Sequence, residues 1–204
     1  MELQGVLIDI DYVSSAGRSI IRLTIKSNSG VYSILDKSFY PYFRLIPYNS
    51  NADTSSIEKM LFRDNQGNQI AIHSVSKSKM TLSGKEKIVL KVETNTSRSV
   101  PEISKMLTEF GEAYEYDILF WKRYLIDKQI NPLHGVTAEV HDEDGQLILE
   151  SIKELKEEYK LENGLTCMCF DIETYNPSVR LTLQPVSGYQ DRSCMPSLSP
   201  SCRL

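Results

Sequence analysis

Hydrophobic and polar positions along the first fifty residues alternate with a period of two, which predicts strands. In Leu7–Tyr12 the alternation sets Leu7, Asp9 and Asp11 against Ile8, Ile10 and Tyr12; Ser19–Lys26 and Val31–Leu35 continue it. Ala16-Gly17 and Asn28-Ser29-Gly30 supply turn chemistry between them, so an antiparallel meander is expected. Phe39–Ile46 reads as a further, aromatic-rich strand. Asp53–Phe62 predicts a short helix with Ile57, Met60 and Leu61 on its apolar face, and Ile70–Val75 and Lys87–Val92 return to alternation. Ser99-x-x-Glu102 has the form of a capping box, Pro101 stands in the first turn, and Val100, Ile103, Met106, Leu107 and Phe110 share a helical face.

Ala113–Tyr116 predicts a short strand and Ile118–Gln129 a helix capped by Asp117. A hairpin follows, Val136–Val140 and Gln146–Leu149 around Asp142–Gly145, and the charged stretch Ser151–Tyr159 reads as a short helical link. Leu165–Glu173 is a nearly continuous apolar run, the pattern of a central strand covered on both faces. From Pro177 to Leu204 periodicity ends, with six Ser and four Pro in 28 residues. Two readings stand for this tail: a disordered terminus, or a frame-shifted or mis-joined end. The pattern as a whole is α+β: a β-rich first domain over 1–132 with two or three helices, then a hairpin and the start of an incomplete second domain over 133–176, then the irregular tail over 177–204.

Composition changes this picture little. The chain has 204 residues, 41% hydrophobic and 25% charged, with no run of about 18 apolar residues that would span a membrane and no leader-like N-terminus, so cytoplasmic residence is expected. A net charge of −4 excludes DNA binding by overall positive potential but leaves local basic stripes open. Candidate stripes are Lys77, Lys79, Lys85 and Lys87 around a turn, and Lys122 with Arg123 among Phe120, Trp121 and Tyr124. Cys167, Cys169, Cys194 and Cys202 fit no zinc spacing and read as free thiols; His73, His134 and His141 share no ligand spacing.

Asp171 and Glu173 carry the sharpest chemistry. Two positions apart on a strand, they project from one face at its end, with Ile172 turned into the core. Paired carboxylates suit hard divalent cations such as Mg²⁺ or Mn²⁺, and two such ions can run phosphodiester hydrolysis. By itself Asp-x-Glu also fits a solvated strand end or a structural ion pair.

The stretch AYEYDILFWKRYLIDKQINPLHG from Ala113 to Gly135, followed by Phe170-Asp171-Ile172-Glu173-Thr174, resembles archaeal-type family B DNA polymerases. There a similar motif joins the N-terminal domain to the 3′–5′ exonuclease domain, whose first motif is FDIET. The segments Asp9–Tyr12, Ile20–Leu23 and Phe39–Tyr42 resemble the family's opening strands, so the resemblance covers about residues 5–176. It implies a polymerase N-terminal domain followed by the start of a ribonuclease H-like exonuclease, with Asp171 and Glu173 as part of a two-metal site that needs acidic residues from later motifs, so negligible catalysis by this chain alone is expected. It further implies a template pocket for uracil built from Tyr12, Pro41, Tyr42, Val100, Phe120 and Arg123, with Lys122 and Arg123 along the DNA backbone. Ser104 departs from the family, which often has Arg there, and weakens the expected phosphate contact. Alternatives are a stand-alone single-stranded-DNA or uracil-sensing module, a split-polymerase subunit, or the inert product of a truncated frame.

Overall fold

A computed structural model describes residues 1–49, 54–64, 66–82, 84–162 and 164–166. Asp171, Glu173, the four cysteines and the tail lie outside these residues, as does most of the predicted Leu165–Glu173 strand. In chain order the elements are β1 (Glu2–Ser15), β2 (Arg18–Ser27), β3 (Gly30–Asp36), β4 (Tyr42–Pro47), α1 (Thr54–Glu58), β5 (Leu61–Arg63), β6 (Gln69–Leu82), β7 (Lys85–Thr94), α2 (Ser99–Met106), β8 (Gly111–Tyr114), α3 (Phe120–Lys128), β9 (Gly135–Glu143) and β10 (Gln146–Glu154). The α+β expectation holds, with strands dominant.

The meander β1–β2–β3 does not end as an open sheet. β9 pairs antiparallel with β1, and β10 pairs with β3 in parallel through Leu147 opposite Ile34, so five strands close into a barrel. Closure removes the sheet edges that would otherwise invite strand addition. Its interior is filled by Leu3, Leu7, Ile21, Leu23, Ile25, Ile34, Val136, Ala138 and Val140, against which Phe120 and Tyr124 of α3 also pack. Gly5 permits the tight approach of β1 to β2: a Cβ there would sit 2.5 Å from the Lys26 carbonyl oxygen.

A β-bulge alters the simple alternation of β1. The register with β2 slips between Leu7 and Asp9, leaving Ile8 as the extra residue, so Leu7 is fully buried while Asp9 is exposed. Period-two counting had placed those two on one face. The hairpin β9–β10 also departs from expectation. It completes the first barrel rather than opening the following domain, so a boundary after residue 132 cuts through one continuous core. β10 runs on to Glu154, taking up residues read as a helical link, because Ile152 has a place in that core.

Between β3 and β9 the chain builds a second sheet, ordered β5-β6-β7-β4-β8. Phe43, Leu45, Leu90 and Val92 on one face pack against Ile57 of α1 and Val100, Ile103 and Leu107. α1 is shorter than predicted: its run stops at Glu58 and Leu61 is exposed on β5. The capping box is not formed either. Ser99 lies inside α2, its N–H donating to Thr96 Oγ1 at 3.3 Å, and Glu102 keeps a buried carboxylate oxygen without a hydrogen-bond partner. Asp117 does not cap α3, whose N-cap is Leu119. Among the described residues no helix is long and apolar enough to cross a membrane.

Candidate nucleobase pocket

Where the barrel, the second sheet and α3 meet, Tyr12 from β1, Pro41 and Tyr42 at the start of β4, Val100 from α2, and Phe120 and Arg123 from α3 line one cavity of about 560 Å³. These residues come from four separated stretches of the chain, and the fold brings all six together. Tyr12 is 42% exposed at the mouth and meets Phe120 edge-on, with ring centroids 5.6 Å apart. Phe120 is 5% exposed and is backed by Phe39, stacked at 5.8 Å. Flat aromatic surface on one side and Pro41 and Val100 on others give a slot suited to a planar ring.

Tyr42 fixes the polar side. Its hydroxyl donates to Asp127 at 2.7 Å, and its ring has Lys91 at 4.3 Å, Arg123 at 5.0 Å and Arg44 at 5.7 Å. Burial first, then the bond to the negative Asp127, pushes the Tyr42 phenol up from 10.0 to about 12. Arg123 is 4% exposed, so its charge needs neutralising within the fold. Its Nη2 lies 2.8 Å from Glu115 Oε2, the same oxygen that accepts from Arg44 Nε at 2.8 Å. Glu115 reaches both from a left-handed backbone, φ +61°. Even so, Arg123 Nε and Nη2 are shielded from solvent and neither makes an aligned hydrogen bond. Arg123 therefore stands beside the aromatic slot as a buried guanidinium held by Glu115.

Apart from Trp121, named among the aromatics of the Lys122–Arg123 stripe, the rest of the lining was not singled out for binding in sequence. Ser97, Arg98, Pro101, Lys105, Tyr116, Asp117, Ile118, Leu119 and Trp121 complete the wall. Ser104 is not among them. It is buried, its hydroxyl donating to the Pro101 carbonyl at 3.0 Å, whereas Arg98 and Lys105 bring positive charge to the pocket.

The other basic candidates do not assemble as expected. Lys122 is exposed while Arg123 is buried, so the pair forms no common strip. On the long β6–β7 ribbon Lys79 faces with Ile88, and Lys85 and Lys87 stand opposite Leu82 and Met80 on the other face, with Lys79 ion-paired to Glu86 at 2.7 Å. His134 and His141 pair with Glu154 and Glu150 on the surface. No group of three or more His, Cys, Asp or Glu able to hold a metal occurs among the described residues. A larger recess of about 880 Å³, lined by Val6, Gly135, Leu155 and Tyr159 with several charged side chains, includes none of the expected site residues.

No family model matches the chain. Over 176 residues it is 29% identical to the DNA polymerase of Archaeoglobus fulgidus, an alignment covering 84% of this chain and 21% of that protein. The DNA polymerase of Thermococcus kodakarensis is 33% identical over 135 residues, 64% of this chain and 8% of its own length. The solved family B DNA polymerase of the hyperthermophilic archaeon Pyrobaculum calidifontis superposes with a TM-score of 0.63 over 78% of this chain and 21% of that one, at 20% identity. The chain is a relative of archaeal DNA polymerases. It spans about a fifth or less of the length of these relatives, and its barrel-plus-sheet fold matches a part of the Pyrobaculum chain.

Proposed function

We propose that this polymerase relative reads single-stranded DNA template by accepting one extruded base into the pocket, with uracil the preferred base. The convergence of Tyr12, Pro41, Tyr42, Val100, Phe120 and Arg123 on one cavity is the observation that supports this. A base taken out of its stack needs aromatic or apolar cover for its faces and hydrogen-bonding groups for its edge. Phe120 and Tyr12 offer the first, and the polar lining of Ser97, Arg98 and Arg123 offers the second. A slot closed by Val100 and Pro101 admits uracil and resists the extra methyl of thymine, a difference worth about 10- to 200-fold where a methyl does not fit.

Asp171 and Glu173 are proposed as one pair of oxygen ligands in an exonuclease centre using Mg²⁺ or Mn²⁺, on the strength of the FDIET motif. The pocket proposal is tested by titrating otherwise identical single strands carrying one deoxyuridine or one thymidine. Tighter binding of the uracil strand, lost in Phe120→Ala, is expected; equal affinities would count against it. The stand-alone module and split-subunit readings gain no support beyond the pocket itself.

A further inference from the structure

Beside the pocket, three planar side chains from three stretches of chain lie in a column. The Arg18 guanidinium sits over the Tyr40 ring at 4.2 Å, and Tyr40 is stacked on His73 with ring centroids 3.7 Å apart and planes 6° from parallel. Arg18 is tied at one end by Nη2 donating to the Lys37 carbonyl at 2.7 Å. His73 stands where the β6–β7 register slips, between Ile72 opposite Thr94 and Ser74 opposite Glu93. It is therefore the extra residue of a β-bulge, the device by which a strand turns a side chain out of its regular alternation. One His73 face is covered by Tyr40, yet the residue is exposed, so the other face is turned to solvent. Glu93, across the bulge from His73, is neutralised by Lys91 at 2.6 Å and accepts from the Ser74 hydroxyl.

The column adjoins the pocket rim. Arg18 precedes Ser19, whose N–H donates to Asn95 O at 2.9 Å and whose Oγ accepts from the Ser97 N–H at 3.0 Å, and Ser97 and Arg98 line the pocket. Tyr40 precedes Pro41, which lines it too.

We propose that the Arg18–Tyr40–His73 column is a stacking platform for a second base of single-stranded DNA, one that neighbours the base held in the pocket. The inference rests on the template-reading proposal and extends it to a contact that tolerates any base, since every base presents a π-face. Arg18 makes the Tyr40 ring a polarised support, and the platform is already assembled, so little ordering cost falls on binding.

The test uses the 204-residue chain and single strands with one deoxyuridine and a 2-aminopurine moved along the neighbouring positions. A fixed offset from the deoxyuridine is expected to show quenched fluorescence through stacking, lost in His73→Ala and kept in His73→Phe. His73→Ala is expected to weaken strand binding by about 5- to 150-fold, the range for one base–aromatic stack, leaving the uracil-to-thymine ratio unchanged. An abasic site at the quenched position should weaken binding to the unaltered protein by a similar factor, which needs no variant to fold. Uracil preference persisting with no quenched offset and no effect of His73→Ala or the abasic site overturns the platform alone. His73-dependent quenching without uracil preference supports the platform and sinks the pocket. Failure of the unaltered chain to bind single strands overturns both.

Discussion

Tyr124→Phe isolates one bond that holds the pocket helix to the barrel. Tyr124 is fully buried, and its hydroxyl donates at 2.9 Å to Oδ2 of Asp36, itself only 1% exposed at the end of β3. The other Asp36 oxygen accepts from the Ser38 N–H at 2.8 Å and its hydroxyl at 2.6 Å, and Lys128 Nζ stands 3.5 Å from Oδ2. The substitution keeps the ring and its edge contact with Phe39 at 4.9 Å, so it creates almost no cavity and deletes only the donor. Hydrogen bonds to charged groups contribute about 1.5–3 kcal/mol each. Lys128 can move in as partial compensation, so a loss of about 2 kcal/mol is expected, or a Tm drop of about 4–8 °C at this chain size. Urea unfolding at neutral pH measures it, with an unchanged slope showing that only stability has moved. A loss below about 0.5 kcal/mol would refute the reasoning, because it would mean water already reaches Asp36.

Tyr42→Phe tests the raised phenol. A group whose folded-state pKa lies above its ordinary one contributes stability that is complete below pH 10 and lost as pH climbs toward about 12, so the alkaline decline across that window should be shallower in the variant, as read by denaturation at stepped pH. Gly111→Ala should destabilise by about 1–3 kcal/mol through overpacking, since a Cβ there would fall 2.3 Å from the Ile46 carbonyl oxygen; calorimetry showing no change would mean β8 shifts freely off β4. Ser104→Arg, which restores the residue common in the resembled family, should lower stability rather than raise DNA affinity, because Ser104 is 2% exposed and outside the pocket; tighter strand binding would reverse that view. Asp171→Ala should remove any Mn²⁺ binding by the chain, measured by calorimetry, and unchanged binding would take the carboxylate pair out of consideration.

Local patterns were legible wherever one face of an element is buried and the other is wet. β2 and β3, the core of α2 and the body of α3 follow from spacing because no irregularity interrupts them. What escaped was set by tertiary partners. The bulge at Ile8 exists because Leu7 must reach the barrel interior, and nothing in the alternation of Leu7–Tyr12 announces it. Ser99 fits a capping box, yet Arg98 is the N-cap and the Ser99 N–H donates to Thr96 Oγ1, since the turn before α2 is tied to Ser19 by the Ser97 N–H. The six pocket residues were named through a family resemblance; composition and periodicity alone treat Tyr42 and Phe120 as ordinary core. Arg98 and Lys105 were not legible in this way: a helical-face count around Val100 and Pro101 selects Ser104, four residues past Val100, and only the fold places Arg98 and Lys105 in the pocket wall.

The parallel joint between Ile34 and Leu147 has a consequence for biosynthesis. β4 through β8 are complete before Gly135 emerges from the ribosome, so the sheet that carries Tyr42 can gather its own helices while β1–β3 still wait for their closing partners. Joining segments that far apart carries the entropic penalty of a long loop. A nascent chain therefore holds an unfinished, edge-exposed meander until β9 and β10 arrive, and the aromatic slot, which depends on β1 and α3 alike, is among the last features to take shape.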